Sequence, residues 1–205
     1  MSLLSMKKIS AISVGGSVAI IVFVLCASAS AIVYNGQYRP WSNYISDLGN
    51  PIKNPSGHLI FDAGCILSGL ALALAVYGFS LWKTSDAWQN KQIRIAQYCG
   101  YIMAFSIAMV GVFSQDQHML HVFWAGLFFI LLMVFMLLIH FALRSHRQYM
   151  KWIQYYIIAL IIIDVIYLLT YVLKIQAPIL EWLAVVGGLL WIGLVGYNTF
   201  KIGID

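Results

Sequence analysis

The residues of this chain that can do chemistry are few and fall in short groups. The stretch Tyr38–Asp62, YRPWSNYISDLGNPIKNPSGHLIFD, gathers Asn43, Ser46, Asp47, His58 and Asp62 in a chain where only 9% of residues are charged. His58 and Asp62 stand four apart, so on a helix they share one face. A second group lies in VFSQDQHMLHVF, where Asp116 is followed by His118 and His121, three apart and again on one face. Glu181 precedes the last apolar run, and Asp164 sits within the fifth. An imidazole next to a carboxylate can work as a general base held in orientation, and the same two groups together are zinc ligands. Asp47, His121 and Asp62 are therefore the catalytic candidates, with His121 or His118 as base and Asp62 or Asp116 orienting it. Asn43, Ser46, His58, Asp116 and Glu181 are the candidate ligand-binding residues. His118, His121 and Asp116 form the set that would hold a divalent metal such as zinc. The alternative for each is local hydrogen bonding: Asp47 capping a helix, the histidines bonding neighbours or lipid phosphate.

Asp164 is a separate case. It lies about 12 residues, or roughly 18 Å, into an apolar run, where an ionisable group marks a functional position by default. A transporter or proton relay would use it, yet the runs hold no opposite charge to pair with and the halves show no inverted repeat. Haem ligation finds no support, because His121 and His140 are 19 residues apart, about 28 Å along one helix.

The elements that must position these groups follow from composition. With 62% hydrophobic residues, the chain is far outside the range of soluble domains and its solvent is the bilayer. Six runs approach the length needed to span one: residues 9–34, 59–82, 95–113, 122–143, 152–173 and 183–200. The expectation is an all-α, polytopic membrane protein, a single six-helix bundle over residues 1–205. Lys7, Lys8 and the string ASASA give the first run the look of a signal peptide, but its apolar stretch is too long for a signal core and is read as a span. Leu25 before Cys26 also argues against a lipoprotein site. Cys26, Cys65 and Cys99 lie in apolar runs without regular spacing and read as small hydrophobes. Glycines 64, 69 and 78 in the second run and 187, 188, 193 and 196 in the sixth offer surfaces for close helix packing, within the chain or in a homodimer.

Charge sets the orientation. Nine of the twelve Lys and Arg fall on the side of the termini and three, Arg39, Lys53 and Lys174, on the other, so both termini are expected in the cytoplasm of a multi-pass cell-membrane protein. The net charge of +5 is spread over segment ends, which suits anionic membrane lipid rather than nucleic acid. Asp47, His58, Asp62, Asp116, His118, His121 and Glu181 then converge on the outer mouth. Within the first outer loop, Trp41, Tyr44, Ile45 and Leu48 keep helical spacing, with Pro40 suited to the start and Gly49 to the end, so a short interfacial helix is expected.

NYISDLGNP before the second run and GVFSQDQHMLHVFWAGLFF leading into the fourth resemble the uncharacterised bacterial and archaeal membrane family known as domain of unknown function 998 (DUF998). More distantly, the chain is similar to the damage-regulated autophagy modulator (DRAM)-like family, which shares the I-S-D-x-G signature found here at Ile45–Gly49. The resemblance covers the whole chain and implies six helices; Ser114 departs from the proline the prokaryotic family commonly has there. Relatives that remodel the lipid of glycosylphosphatidylinositol anchors imply headgroup chemistry. Three functions follow, in order of support: an outer mouth that binds or modifies a lipid headgroup or other amphiphile; a non-catalytic accessory or regulatory subunit with a membrane-protein partner; and a small-solute or proton-coupled transporter built on Asp164.

Overall fold

The computed structural model describes residues 10–203; Lys7, Lys8, Ile9 and Asp205, used above for charge and span limits, lie outside them. The described residues form six α-helices: α1 (Ala11–Ile32), α2 (His58–Gly78), α3 (Ala87–Val112), α4 (His118–Leu143), α5 (Lys151–Val172) and α6 (Pro178–Ile202). All six are long and apolar enough to cross a membrane, α2 counted with the 3₁₀ turn Phe79–Trp82 that follows it. No strand occurs among the described residues. Each helix packs on the next and α6 returns to α1, so the bundle closes into a ring whose weakest seam lies between α4 and α5.

Capping explains where the helices exceed the apolar runs. The Asp86 carboxylate accepts the Trp88 and Gln89 N–H groups at 2.7 and 3.1 Å, which starts α3 eight residues before the apolar stretch and makes Lys91 and Arg94 helical. Pro178 occupies the first turn of α6, where a missing N–H costs nothing, so that helix begins five residues before the expected Leu183. Likewise α4 begins at His118 rather than Val122. Hydropathy marks the part of a helix that lies in oil; the caps mark the part that is helical.

Helix contacts use small residues. A Cβ on Gly78 would collide with the Ile12 backbone, and one on Gly69 would meet the Ala104 carbonyl at 2.6 Å. All seven glycines singled out in α2 and α6 face neighbours within the chain. The hydroxyl of Ser13 on α1 donates to the Gly196 carbonyl of α6 at 2.8 Å, tying the ring where it closes. Between the helices, Phe79, Phe135, Trp82 and Trp191 fill the end away from the long loop, with Phe79 edge-on to Phe135 at 5.2 Å. Apolar side chains such as Leu25, Leu70 and Val172 point outward, as a lipid-facing perimeter requires. The three cysteines are free and Cys65 is fully buried.

Three connections share one end of the ring: residues 33–57, 113–117 and 173–177. The longest of them folds down over that end. Its short helix is present but smaller than the spacing predicts, a 3₁₀ segment at Ile45–Gly49 preceded by a turn at 40–42. Ile45 and Leu48 face the protein, 4% and 0% exposed, while Trp41 is left outside. The helix is therefore a plug in the bundle mouth rather than a float on the lipid surface. Buried polar groups fix it. Asn54 donates to the Leu48 carbonyl at 2.9 Å and to the Ser30 hydroxyl at 2.8 Å, and Ser30 donates to the Gly57 carbonyl at 2.9 Å.

Candidate functional site

Asp47 sits at the centre of the plug's polar network. One carboxylate oxygen accepts the Tyr44 N–H at 3.1 Å; the other accepts Lys53 Nζ at 2.6 Å and Gln115 Nε2 at 2.9 Å. Gln115 also takes the Asn50 amide at 2.7 Å, so the loop between α3 and α4 is stitched to the plug. These bonds make Asp47 the polar tie between the plug, Lys53 and the loop before α4. Asn43 is likewise a turn residue: its side chain accepts the Arg39 N–H at 3.0 Å and the Ser42 hydroxyl at 3.1 Å. Burial, with the carboxylates of Glu181 and Asp47 nearby, pushes the Tyr38 phenol up, so it remains a donor to the Tyr44 carbonyl at 3.0 Å.

Asp62 is buried one turn into α2 and accepts the Ser114 hydroxyl at 2.5 Å. It packs directly under the plug, since a Cβ on Gly49 would come within 2.7 Å of its Oδ1. His58 shares its helix but bonds elsewhere, its Nδ1 lying 3.3 Å from the Asn54 carbonyl. Asp116 and His118 are exposed, whereas His121 is only 4% exposed. The expected metal set of His118, His121 and Asp116 is not brought together, and among the described residues no three His, Cys, Asp or Glu side chains gather where they could hold a metal ion.

What the structure does bring together is a cleft of about 220 Å³ between α4 and α5, beneath the plug. Tyr44, Ser46 and Gln115 border it on the plug side, and His118 and His121 on α4 face Tyr167 and Tyr171 on α5. Glu181 reaches in from α6, and Val122, Ala125, Phe129 and Leu168 make the deeper wall apolar. The cleft lies where α5 packs most loosely: its buried residues are Ile153, Ile157, Leu160 and Asp164, and none beyond Asp164 is buried. Gly126 widens it, with nothing within 4 Å of where its side chain would begin.

Glu181 and His121 are the chemical groups at its polar end. The Glu181 carboxylate, 5% exposed, accepts the Ile45 N–H at 2.7 Å and the Tyr167 hydroxyl at 3.4 Å, so it anchors the plug while bordering the cleft. His121 Nδ1 lies 2.8 Å from the Phe113 carbonyl, which can only accept, so that nitrogen carries the proton. Its Nε2 is then a lone pair, and it is buried without a hydrogen-bond partner. Asp164 is fully buried with both oxygens unpartnered, deeper along α5 and outside the cleft lining.

Of the residues picked from sequence, Ser46, His118, His121 and Glu181 meet at the cleft, while Asn43, Asp47, His58 and Asp62 build the plug above it. Tyr44, Gln115, Gly126, Tyr167 and Tyr171 were missed as site residues. A signal existed for two of these: Tyr167 and Tyr171 follow Asp164 at three and seven residues, on one helical face.

Six membrane-spanning helices closed into a ring, with an ordered loop plugging one end, define a multi-pass membrane protein. The family model described as a protein of unknown function (DUF998) matches residues 17–198, and the chain belongs to that family. No curated protein and no solved structure matches it.

Proposed function

We propose that this protein binds an amphiphile drawn from the bilayer, its polar head under the plug against His121 and Glu181 and its apolar portion along α4 and α5. The observation that carries the reading is the polarity gradient of the α4–α5 cleft, from Ser46, His121 and Glu181 at the plug to Ala125, Phe129 and Leu168 below. A cleft in the loosest seam of the ring can be filled from the side by a membrane lipid, without passage through water. His121 is the group suited to meet such a head, because its Nδ1 proton is held by the Phe113 carbonyl and its Nε2 has no partner. The excess of Lys and Arg at the opposite end supports a cell-membrane orientation with the cleft on the extracytoplasmic face and both termini in the cytoplasm.

Native mass spectrometry of gently extracted protein tests this. Wild-type protein is expected to retain a lipid-sized adduct that Gly126→Leu, which fills the cleft, removes at unchanged thermal stability. Identical spectra for the two would refute the reading and favour an accessory role in which the polar groups only fix the loops.

A further inference from the structure

Resting on the amphiphile reading of the cleft, we infer that the head it selects is a hydrogen-bond donor without negative charge, a hydroxyl or an ammonium group, and not a phosphate or carboxylate. Several donors at the polar end are already committed. The Ile45 N–H and the Tyr167 hydroxyl both give to Glu181, and Gln115 Nε2 gives to Asp47. The buried group left open is an acceptor. His121 Nε2 is a buried lone pair without a partner, and leaving such a group unsatisfied is costly enough that a ligand donor there gains the full bond. Charge points the same way. Glu181 borders the cleft, no Lys or Arg does, and the nearby Lys53 is held by Asp47 at 2.6 Å. An anionic head would meet a carboxylate with no Lys or Arg in the cleft wall to offset it. A hydroxyl has a further fit, because the Tyr44 phenol accepts the Ala177 N–H at 3.3 Å and keeps its own proton to offer to a ligand oxygen.

The test is a competition among amphiphiles of one chain length, dodecylglycerol ether, dodecylammonium and dodecyl phosphate, at equal concentration with the purified full-length protein, read as adduct fraction by native mass spectrometry. The glycerol and ammonium adducts are expected to exceed the phosphate adduct by about tenfold, the effect of one well-made hydrogen bond to a buried or charged group. Gly126→Leu should abolish all three. His121→Phe should shrink the preference, and Glu181→Gln should weaken the ammonium adduct while sparing the glycerol one, which tells the two head types apart. A phosphate adduct equal to or above the others, still removed by Gly126→Leu, would overturn the donor assignment and leave the amphiphile cleft standing. Adducts unaffected by Gly126→Leu would overturn both.

Discussion

Asp47 ties three partners together at the ordered loop. Its removal strands the Tyr44 N–H, Gln115 and Lys53 together, so Asp47→Ala is expected to destabilise by about 2–4 kcal/mol, read as a lower midpoint of thermal unfolding in detergent. Lys53→Ala should lose about 1 kcal/mol or less, because the Lys53 side chain is half exposed and water replaces much of its partner. Gly49 in the same motif is required by space: a Cβ there would lie 2.7 Å from Asp62 and 2.9 Å from the Phe61 ring. Gly49→Ala should therefore cost about 1–3 kcal/mol on the same assay. Asp164 gives the opposite expectation. With both oxygens buried and unpartnered, Asp164→Leu should leave stability unchanged or raise it. If that variant also loses a measurable flux across vesicles, the transporter reading regains its place.

At the scale of elements, the two ends of α5 are held differently. Its start is latched to α6 by Asn198, which accepts the Met150 N–H at 2.9 Å and donates to the Gln148 carbonyl at 3.0 Å. Asn198 is fully buried, so Asn198→Ala should lose about 2–3 kcal/mol and expose the 144–150 turn to proteolysis. The far end of α5 is held more lightly, by the Tyr167 hydroxyl on Glu181 at 3.4 Å, and closes with Lys174 at φ 56°, in the left-handed region. Lys174→Gly should relieve that strain and gain about 0.5–1 kcal/mol, measurable as a raised unfolding midpoint. This asymmetry makes the cleft a property of the seam rather than of any one side chain, and it places the opening beside the plug.

For the whole molecule, the ring and its plug set a topology that labelling can read. A single cysteine introduced at exposed Gln37 should react with a membrane-impermeant maleimide on intact cells, and one at exposed Ser85 only after permeabilisation. The reverse pattern would invert the charge-based orientation. Much of the architecture was legible beforehand, because six apolar runs and their flanking charges are local signals. The plug was legible as a short helix between Pro40 and Gly49 but not as an inward-facing one confined to Ile45–Gly49. Spacing shows that Ile45 and Leu48 share a face, while only the position of Phe61 and Asp62 beneath them decides whether that face meets protein or lipid.

The amino-acid sequence by itself determined the solvent, the number of spans and the end of the bundle where the polar residues collect, since each depends on the transfer of single residues between water and oil. It also contained the His121 and Glu181 positions without their relation. Tertiary structure alone decided that Asp47 bonds Lys53 and Gln115, that among the described residues His118, His121 and Asp116 do not form one metal-holding group, and that His121 and Glu181 border one cleft. The reason is distance along the chain: Glu181 lies 136 residues from the Ile45 N–H it accepts, and such a pairing is fixed by how α6 closes against α1, not by any pattern within a helix.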